Sequence, residues 1–411
     1  MARTIAGGYL YRAGKLAILF SARHLHPALR RAVAARVALL AALGLALPLA
    51  LSAPAWASGD IRVGLAEGLA TVEVGGGPML VHDLAGRALA EEPITWLRVL
   101  RRDGALEWRG QRLTGLRVSP AGGHALRFQQ RPYPGVLEVM LAPEGLMVVN
   151  QLPLEEYLVG AVKAEAGDNW PLEMLKAQAI VARTYAAYHR RLNGAKPYHL
   201  VSSTANQQYA GQVPETSPAW SAVRETEGQV LLWEGDLFPA FYHTDSGGYT
   251  EDPRAVFAAS NMPALPPVRV EFPSASPHHA WILDVPLADL AAALRRGGVS
   301  VGSIVGLRVV ERSTSLRVSR IAVDGTRGTA TLRGNDLRRL VGYDTLKSTL
   351  FAVSVDRAYA RFAGRGYGHG VGLDQWSAKS MAEQGYTAGQ IALYYYPGAT
   401  LSSLTASPSP K

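Results

Sequence analysis

A carboxyl group that serves as a general acid must be kept protonated near neutral pH, and Glu165 stands where two effects favour that. It follows Leu154, Leu158, Ala161 and Val162, spaced i, i+4, i+7 and i+8. At i+11 and about 100° per residue, Glu165 returns to the same helix face. An apolar face strips solvent from a carboxylate, and the C-terminal end of the helix dipole disfavours its charge; both raise the pKa. Glu155 and Glu156 fall on other faces. The position equally suits a helix-end glutamate paired with Lys163 or Arg183, and spacing does not choose between the two readings.

A second feature is the run Gly364, Gly366, Gly368, Gly370 and Gly372, alternating with Arg365, Tyr367, His369, Val371 and Leu373. As a strand it would have one bare face, open to close approach by backbone or ligand, and one face bearing Arg, Tyr and His. It lacks the Gly-Lys-Ser/Thr of a phosphate cradle. Asp245-Ser246-Gly247-Gly248 reads as a turn or a functional loop. Ser246 lacks the Gly-x-Ser-x-Gly setting of a hydrolase nucleophile. There is no His-Glu-x-x-His and no cysteine, so disulfides and thiol chemistry are excluded, and neither a metal nor a cofactor is expected from spacing.

The elements that must position these residues follow from pattern. The 411 residues are 48% hydrophobic and 18% charged, which is globular composition with length for two or three cores. Ile61–Leu65 and Thr71–Val74 alternate at period two, and strand signals continue to about residue 150. Helices are expected over 154–165 and 171–192, the second capped by Asp168 or Asn169. Its alanines, interspersed with larger apolar residues, suit a closely packed central helix. Gln229–Trp233 and Phe238–His243 flank Glu234-Gly235-Asp236 as a hairpin would. Strands are expected at 304–310, 318–323 and 329–332, and helices at 287–294 and about 374–384. Strand runs with segregated helices predict an α+β fold.

The net charge of +9 is concentrated at the start: residues 1–57 hold seven Lys/Arg and no Asp or Glu. A nucleic-acid partner is therefore not expected. The basic stretch ending at Arg36, the apolar run Val37–Leu51 and Ala55-Trp56-Ala57 read as a signal peptide, or alternatively an N-terminal anchor. Either places the rest outside the cytoplasm, with membrane contact only through that segment. The expected organisation is 1–57 as targeting segment, 58–145 as a small β-rich domain, 146–402 as the main domain and 403–411 as a polar tail.

Four blocks together resemble the SpoIID/LytB family. They are Leu154-Glu155-Glu156-Tyr157-Leu158-Val159-Gly160 continuing to Glu165; Trp170-Pro171 through Leu175-Lys176-Ala177-Gln178-Ala179 to Tyr185; Gln208-Tyr209-Ala210-Gly211 with Tyr242-His243-Thr244-Asp245-Ser246-Gly247-Gly248; and Gly366–Trp376 with Tyr395-Tyr396-Pro397-Gly398. The resemblance implies a SpoIID-like catalytic domain of mixed strands around a central helix. It also implies peptidoglycan glycan strands as partner, lytic transglycosylation as activity and Glu165 as the catalytic residue. Gln208, Tyr209, Ser246, Tyr367, His369 and Gln375 are the expected sugar-binding groups, since hydrogen bonds and aromatic faces grip neutral sugar. The rival is a non-catalytic wall-binding protein or an amidase enhancer, working with another wall hydrolase. The chain departs from the family at Asp374 (more often Ser), Ser377 (more often Gly), Leu316 (more often Gly) and Ala166-Gly167-Asp168 (Met and Pro usual).

Overall fold

The computed structural model describes residues 59–257 and 262–404. The expected targeting segment, 1–57, and most of the expected polar tail lie outside the described residues.

Alternating apolar residues build two six-stranded sheets. The first runs in the order Leu200–Val201, Asp60–Leu69, Gly145–Pro153, Val136–Ala142, Gly115–Pro120, Met79–Asp83. The second runs Gln111–Leu113, Ala105–Trp108, Leu97–Arg102, Thr71–Gly75, Leu126–Phe128, Arg131–Tyr133. Inward residues of both, among them Ile61, Val72, Val99, Leu116, Leu126 and Val148, meet in one core. Gly145–Pro153 pairs with Asp60–Leu69 on one side and Val136–Ala142 on the other. Chain on both sides of the expected 145/146 boundary thus shares that core, together with Leu158 and Leu175 of the following helices.

The opening helix, Leu154–Ala166, and the central helix, Leu172–Leu192, lie within a residue or two of expectation. The central helix faces two cores. Leu175, Ala179, Ala182 and Ala186 pack with the sheets. Met174, Ala177, Ile180 and Val181 pack with Phe238, Leu373, Tyr395 and Tyr396. Small side chains permit close approach on both sides. A third core, around Trp281, Leu290, Ile321 and Phe362, is built from two three-stranded sheets and the helices Leu287–Arg296 and Gly334–Val341.

Three expectations are corrected. Pro171, not Asp168 or Asn169, stands at the N-cap of the central helix, with no side-chain cap. Asp168 instead pairs with Lys163 and accepts from Ser217 Oγ. Of the 229–243 hairpin only the turn forms: Trp233 and Asp236 exchange both backbone hydrogen bonds, each 2.9 Å, around Glu234-Gly235, and the pairing goes no further. Gln229–Leu232 pairs antiparallel with Thr400–Ser403, while only Tyr242–His243 forms a strand, parallel to Leu373–Asp374. Pro239 has no N–H to give to a ladder. The glycine run is not a strand beyond Gly364. Gly366, Gly368, Gly370 and Gly372 have φ of +74°, +116°, +88° and +72°, so every second residue bends the chain out of extended form. At Gly372 a Cβ would meet Phe241 O at 1.9 Å, which fixes the loop against the Tyr242 strand.

Candidate active site

Leu154, Leu158, Ala161 and Val162 are all buried, as their spacing requires, and they carry Glu165 to the last turn of the opening helix. Gly167, at φ +73°, lets the chain leave the helix there. Lys163 is engaged with Asp168, and the fully buried Arg183 grips both oxygens of Glu155 at 2.6 and 2.8 Å. Among the described residues Glu165 forms no ion pair. The alternative of a helix-end glutamate neutralised by Lys163 or Arg183 therefore falls.

Glu165 Oε1 accepts a hydrogen bond from Gln208 N at 2.7 Å. Desolvation raises the carboxyl's pKa above the ordinary glutamate value. The Gln208 N–H, the Tyr242 hydroxyl and the Gln375 amide favour the ionised form but only partly offset this. The group is thus biased towards the proton-bearing form while keeping contacts for the carboxylate it would become.

Around it lies a polar cluster in an apolar setting. Burial, and then the charge of Glu165, push the hydroxyls of Tyr157 and Tyr242 well up. Tyr157 Oη donates to Gln207 Oε1 at 2.9 Å, and Gln375 Nε2 donates to Gln178 Oε1 at 3.3 Å. Asn206 Nδ2 donates to Tyr185 Oη at 3.0 Å. Gln178 Nε2 and the buried Tyr242 Oη, which stands beside the Glu165 carboxyl, complete no hydrogen bond of good geometry among the described residues. Unsatisfied buried polar groups beside an acid suit a hydroxylated ligand. Trp170 and Trp376 stand edge to face at 5.3 Å, one following Glu165 in the chain and the other following Gln375.

The expected sugar-binding residues separate. Gln375 belongs to the Glu165 cluster, and Gln208 reaches it through its backbone while its side chain is exposed. Tyr209 is a correction. It is buried in the core, its ring 5.1 Å from Tyr157 and its hydroxyl donating to Asn150 Oδ1 at 3.0 Å. A Cβ at Gly160 would strike that ring at 2.5 Å, which explains the glycine on the helix. Ser246 is likewise buried: its N donates to Asp374 Oδ2 at 2.9 Å and its carbonyl accepts from Arg317 at 2.6 Å. Tyr367, half-buried, donates to Asp344 at 2.7 Å. His369 lies among Phe241, His243 and Phe257, its pKa pushed down to about 3 by desolvation and by Arg338 and Arg317. Its Nδ1 accepts from Val371 N at 3.0 Å, so it is a neutral donor through Nε2.

Tyr242, Gln178, Gln207 and Asn206 went unpredicted as site residues. Gln178 had a signal: it is a lone amide among alanines on a helix expected to be buried on several faces. The departures at Asp374 and Ser377 are coupled, since Asp374 caps the helix Gln375–Glu383 by accepting from Ser377 N at 3.1 Å and Ser377 Oγ at 3.0 Å. Leu316 has φ +64°, a conformation that suits the glycine more usual there.

Residues 143–233, which hold Glu165, Gln178, Gln207 and Gln208, match the model of the stage II sporulation protein family, SpoIID. Over those residues the chain is similar to the SpoIID family. Residues 274–372, essentially the third core, match a domain of unknown function, DUF8618. The chain is 29% identical to stage II sporulation protein D of Bacillus subtilis (strain 168) over 276 residues, 63% of this chain and 77% of that one. It is 28% identical to the amidase enhancer of the same organism over 294 residues, 60% of this chain and 40% of that protein. An uncharacterised protein of Brachyspira hyodysenteriae (strain ATCC 49526 / WA1) is 28% identical over 268 residues, covering 65% of this chain and 71% of that one. The SpoIID match begins inside the Val136–Ala142 and Gly145–Pro153 hairpin, so the sheets before it serve as the platform on which the SpoIID helices rest.

Proposed function

We propose that this SpoIID-like protein is a lytic transglycosylase that cuts the glycan strands of peptidoglycan, with Glu165 as the single acid and base. The observation that supports it is a carboxyl group with a raised pKa and no cationic partner among the described residues, set in a cluster of tyrosines and amides. Protonated Glu165 gives its proton to the oxygen that joins N-acetylmuramic acid to N-acetylglucosamine. The C1–O bond breaks and C1 takes on oxocarbenium character. The carboxylate then accepts the proton of the sugar's own C6 hydroxyl, whose oxygen bonds to C1 and leaves a 1,6-anhydro end. Water is neither consumed nor released, so no second carboxylate is needed to activate it, unlike ordinary glycoside hydrolysis. The backbone N–H of Gln208 holds the carboxylate stage, and Tyr242 and Gln375 lie beside it to meet substrate oxygens.

The same reading places the protein in the cell envelope, exported by residues 1–57. N-terminal sequencing of the native protein from fractionated cells checks this, and a cytoplasmic product retaining Met1 refutes it. Mass spectrometry of purified glycan strands after incubation with the protein tests the chemistry. Anhydro-muramic ends support the proposal. Retention on wall without new ends supports the amidase-enhancer type of role instead, a reading favoured by the relative that bears that name.

A further inference from the structure

Far along the chain from Glu165, the second six-stranded sheet turns a patterned face to solvent. Val72, Val74, Leu97, Val99 and Phe128 point inward, while Glu73, Arg98 and Arg127 point outward. Register sets Glu73 opposite Arg98 and Gly75 opposite Arg127. Trp96, at 55% exposure, is the one exposed tryptophan among the described residues, and it borders a depression of about 570 Å³ on this face. Exposing an indole costs hydrophobic free energy unless something covers it.

Gly75 forms part of this depression. Its φ is not positive, and an added Cβ would lie 3.8 Å from Thr95 O and 3.9 Å from Trp96 Cδ1, which is ordinary contact. The fold therefore does not require glycine there; what the glycine does is leave the surface beside the indole open. The two-residue turn joining Leu126–Phe128 to Arg131–Tyr133 is Gln129-Gln130, with φ of +47° and +66°. Asn-Gly adopts such a turn at lower cost. Two glutamines in this turn keep two amide side chains at the rim of the depression. Among the described residues Arg98 pairs with Glu73 alone, at 3.5 Å and largely exposed, so it keeps donors free.

We infer that this face is a second glycan-binding site, taking an amino-sugar strand that carries carboxylates. The indole stacks on the C–H face of a pyranose ring. The glutamine amides meet hydroxyl and N-acetyl groups, and the guanidinium groups of Arg98 and Arg127 meet carboxylate. Glu73 makes a phosphate-rich polyanion a poor occupant. The site lies outside the residues matched by either family model. The identity of the polymer rests on the proposed function; the site itself does not. It would hold a long strand while Glu165 works elsewhere on it.

Calorimetric titration of the full chain carrying Glu165→Gln tests this. The probes are a carboxylate-bearing oligosaccharide of N-acetylglucosamine and N-acetylmuramic acid, and a neutral chitin oligosaccharide. Trp96→Ala is expected to weaken binding of both by about tenfold. Arg98→Gln with Arg127→Gln is expected to weaken only the carboxylate-bearing probe. Gly75→Val is expected to melt with the parent yet lose the same binding as Trp96→Ala. Gln129→Asn with Gln130→Gly is expected to melt higher and bind less. Unchanged titrations in both Trp96→Ala and Gly75→Val overturn the site. Equal loss of both probes in the arginine pair overturns the carboxylate preference. Binding that depends on Trp96, in a protein whose wild type yields no anhydro ends, sinks the proposed activity and leaves this site standing. Anhydro ends abolished by Glu165→Gln, with no effect of Trp96→Ala on binding, do the reverse.

Discussion

Asp374 is fully buried at the start of the helix that presents Gln375, and its stability effect should depend on pH in a defined sense. Burial, and then the nearby Asp245 carboxylate, push its pKa from 3.8 to about 6. At about 1.4 kcal/mol per pH unit, that gap is worth about 3 kcal/mol. Between 3.8 and about 6 the folded protein binds more protons at this site than the unfolded chain does. Stability contributed by Asp374 is therefore greatest at low pH and falls as pH rises through that window. Asp374→Asn removes the titration. It keeps an acceptor for Ser377 N but turns a donor towards Ser246 N, which now bonds Asp374 Oδ2 at 2.9 Å. That mismatch costs about 1–3 kcal/mol at every pH. The variant should therefore be less stable than wild type near pH 3.5, and the gap should close by about 3 kcal/mol by pH 7.5. Urea unfolding of both proteins across that range measures it. A stability difference that is flat, or that widens in favour of wild type as pH rises, refutes the account of Asp374 as a carboxyl desolvated against its charge.

Glu165→Gln should fold, keep glycan binding and lose anhydro-end formation by about 10²–10⁴-fold or more, read by mass spectrometry. Removing a carboxyl whose pKa is raised by burial should also make this variant the more stable partner at neutral pH, with the advantage vanishing in acid. Glu156→Gln is the suitable control. Glu155→Gln should instead cost about 3–5 kcal/mol by denaturation, because it strips the buried Arg183 of its ionic partner. Activity retained in Glu165→Gln and lost in Glu156→Gln would move the chemistry to another helix face. Gly368→Val should lower the melting temperature far more than His369→Ala, since its Cβ would meet His243 Cβ at 2.7 Å in a left-handed conformation at φ +116°. Equal melting temperatures would remove the close-approach argument for that loop.

The helix carrying Glu165 was legible in the sequence because helical periodicity is local: Leu154, Leu158, Ala161 and Val162 share a face whatever packs against them. The same holds for the alternating strands of both sheets and for the alanine-rich helix buried on two sides. The family motifs single out Glu165 as the proposed acid, and the raised pKa of its carboxyl agrees with its face and its position at the helix end. What local pattern could not supply was the partner of each group. Lys163 and Arg183 were both in reach of Glu165 by spacing, but Asp168 and Glu155 engage them in the fold. Tyr209 looked like a sugar platform and is a core residue, because the close approach permitted by Gly160 draws its ring inward. The alternating glycines looked like a bare strand face, yet their φ values are positive, since alternation in sequence specifies only which residues can bend and not whether the chain does. Tyr242 meets Glu165 across 77 residues of chain, and Gln375 meets Gln178 across 197. Such contacts depend on how three cores are stacked, and no window of sequence short enough to read carries that information.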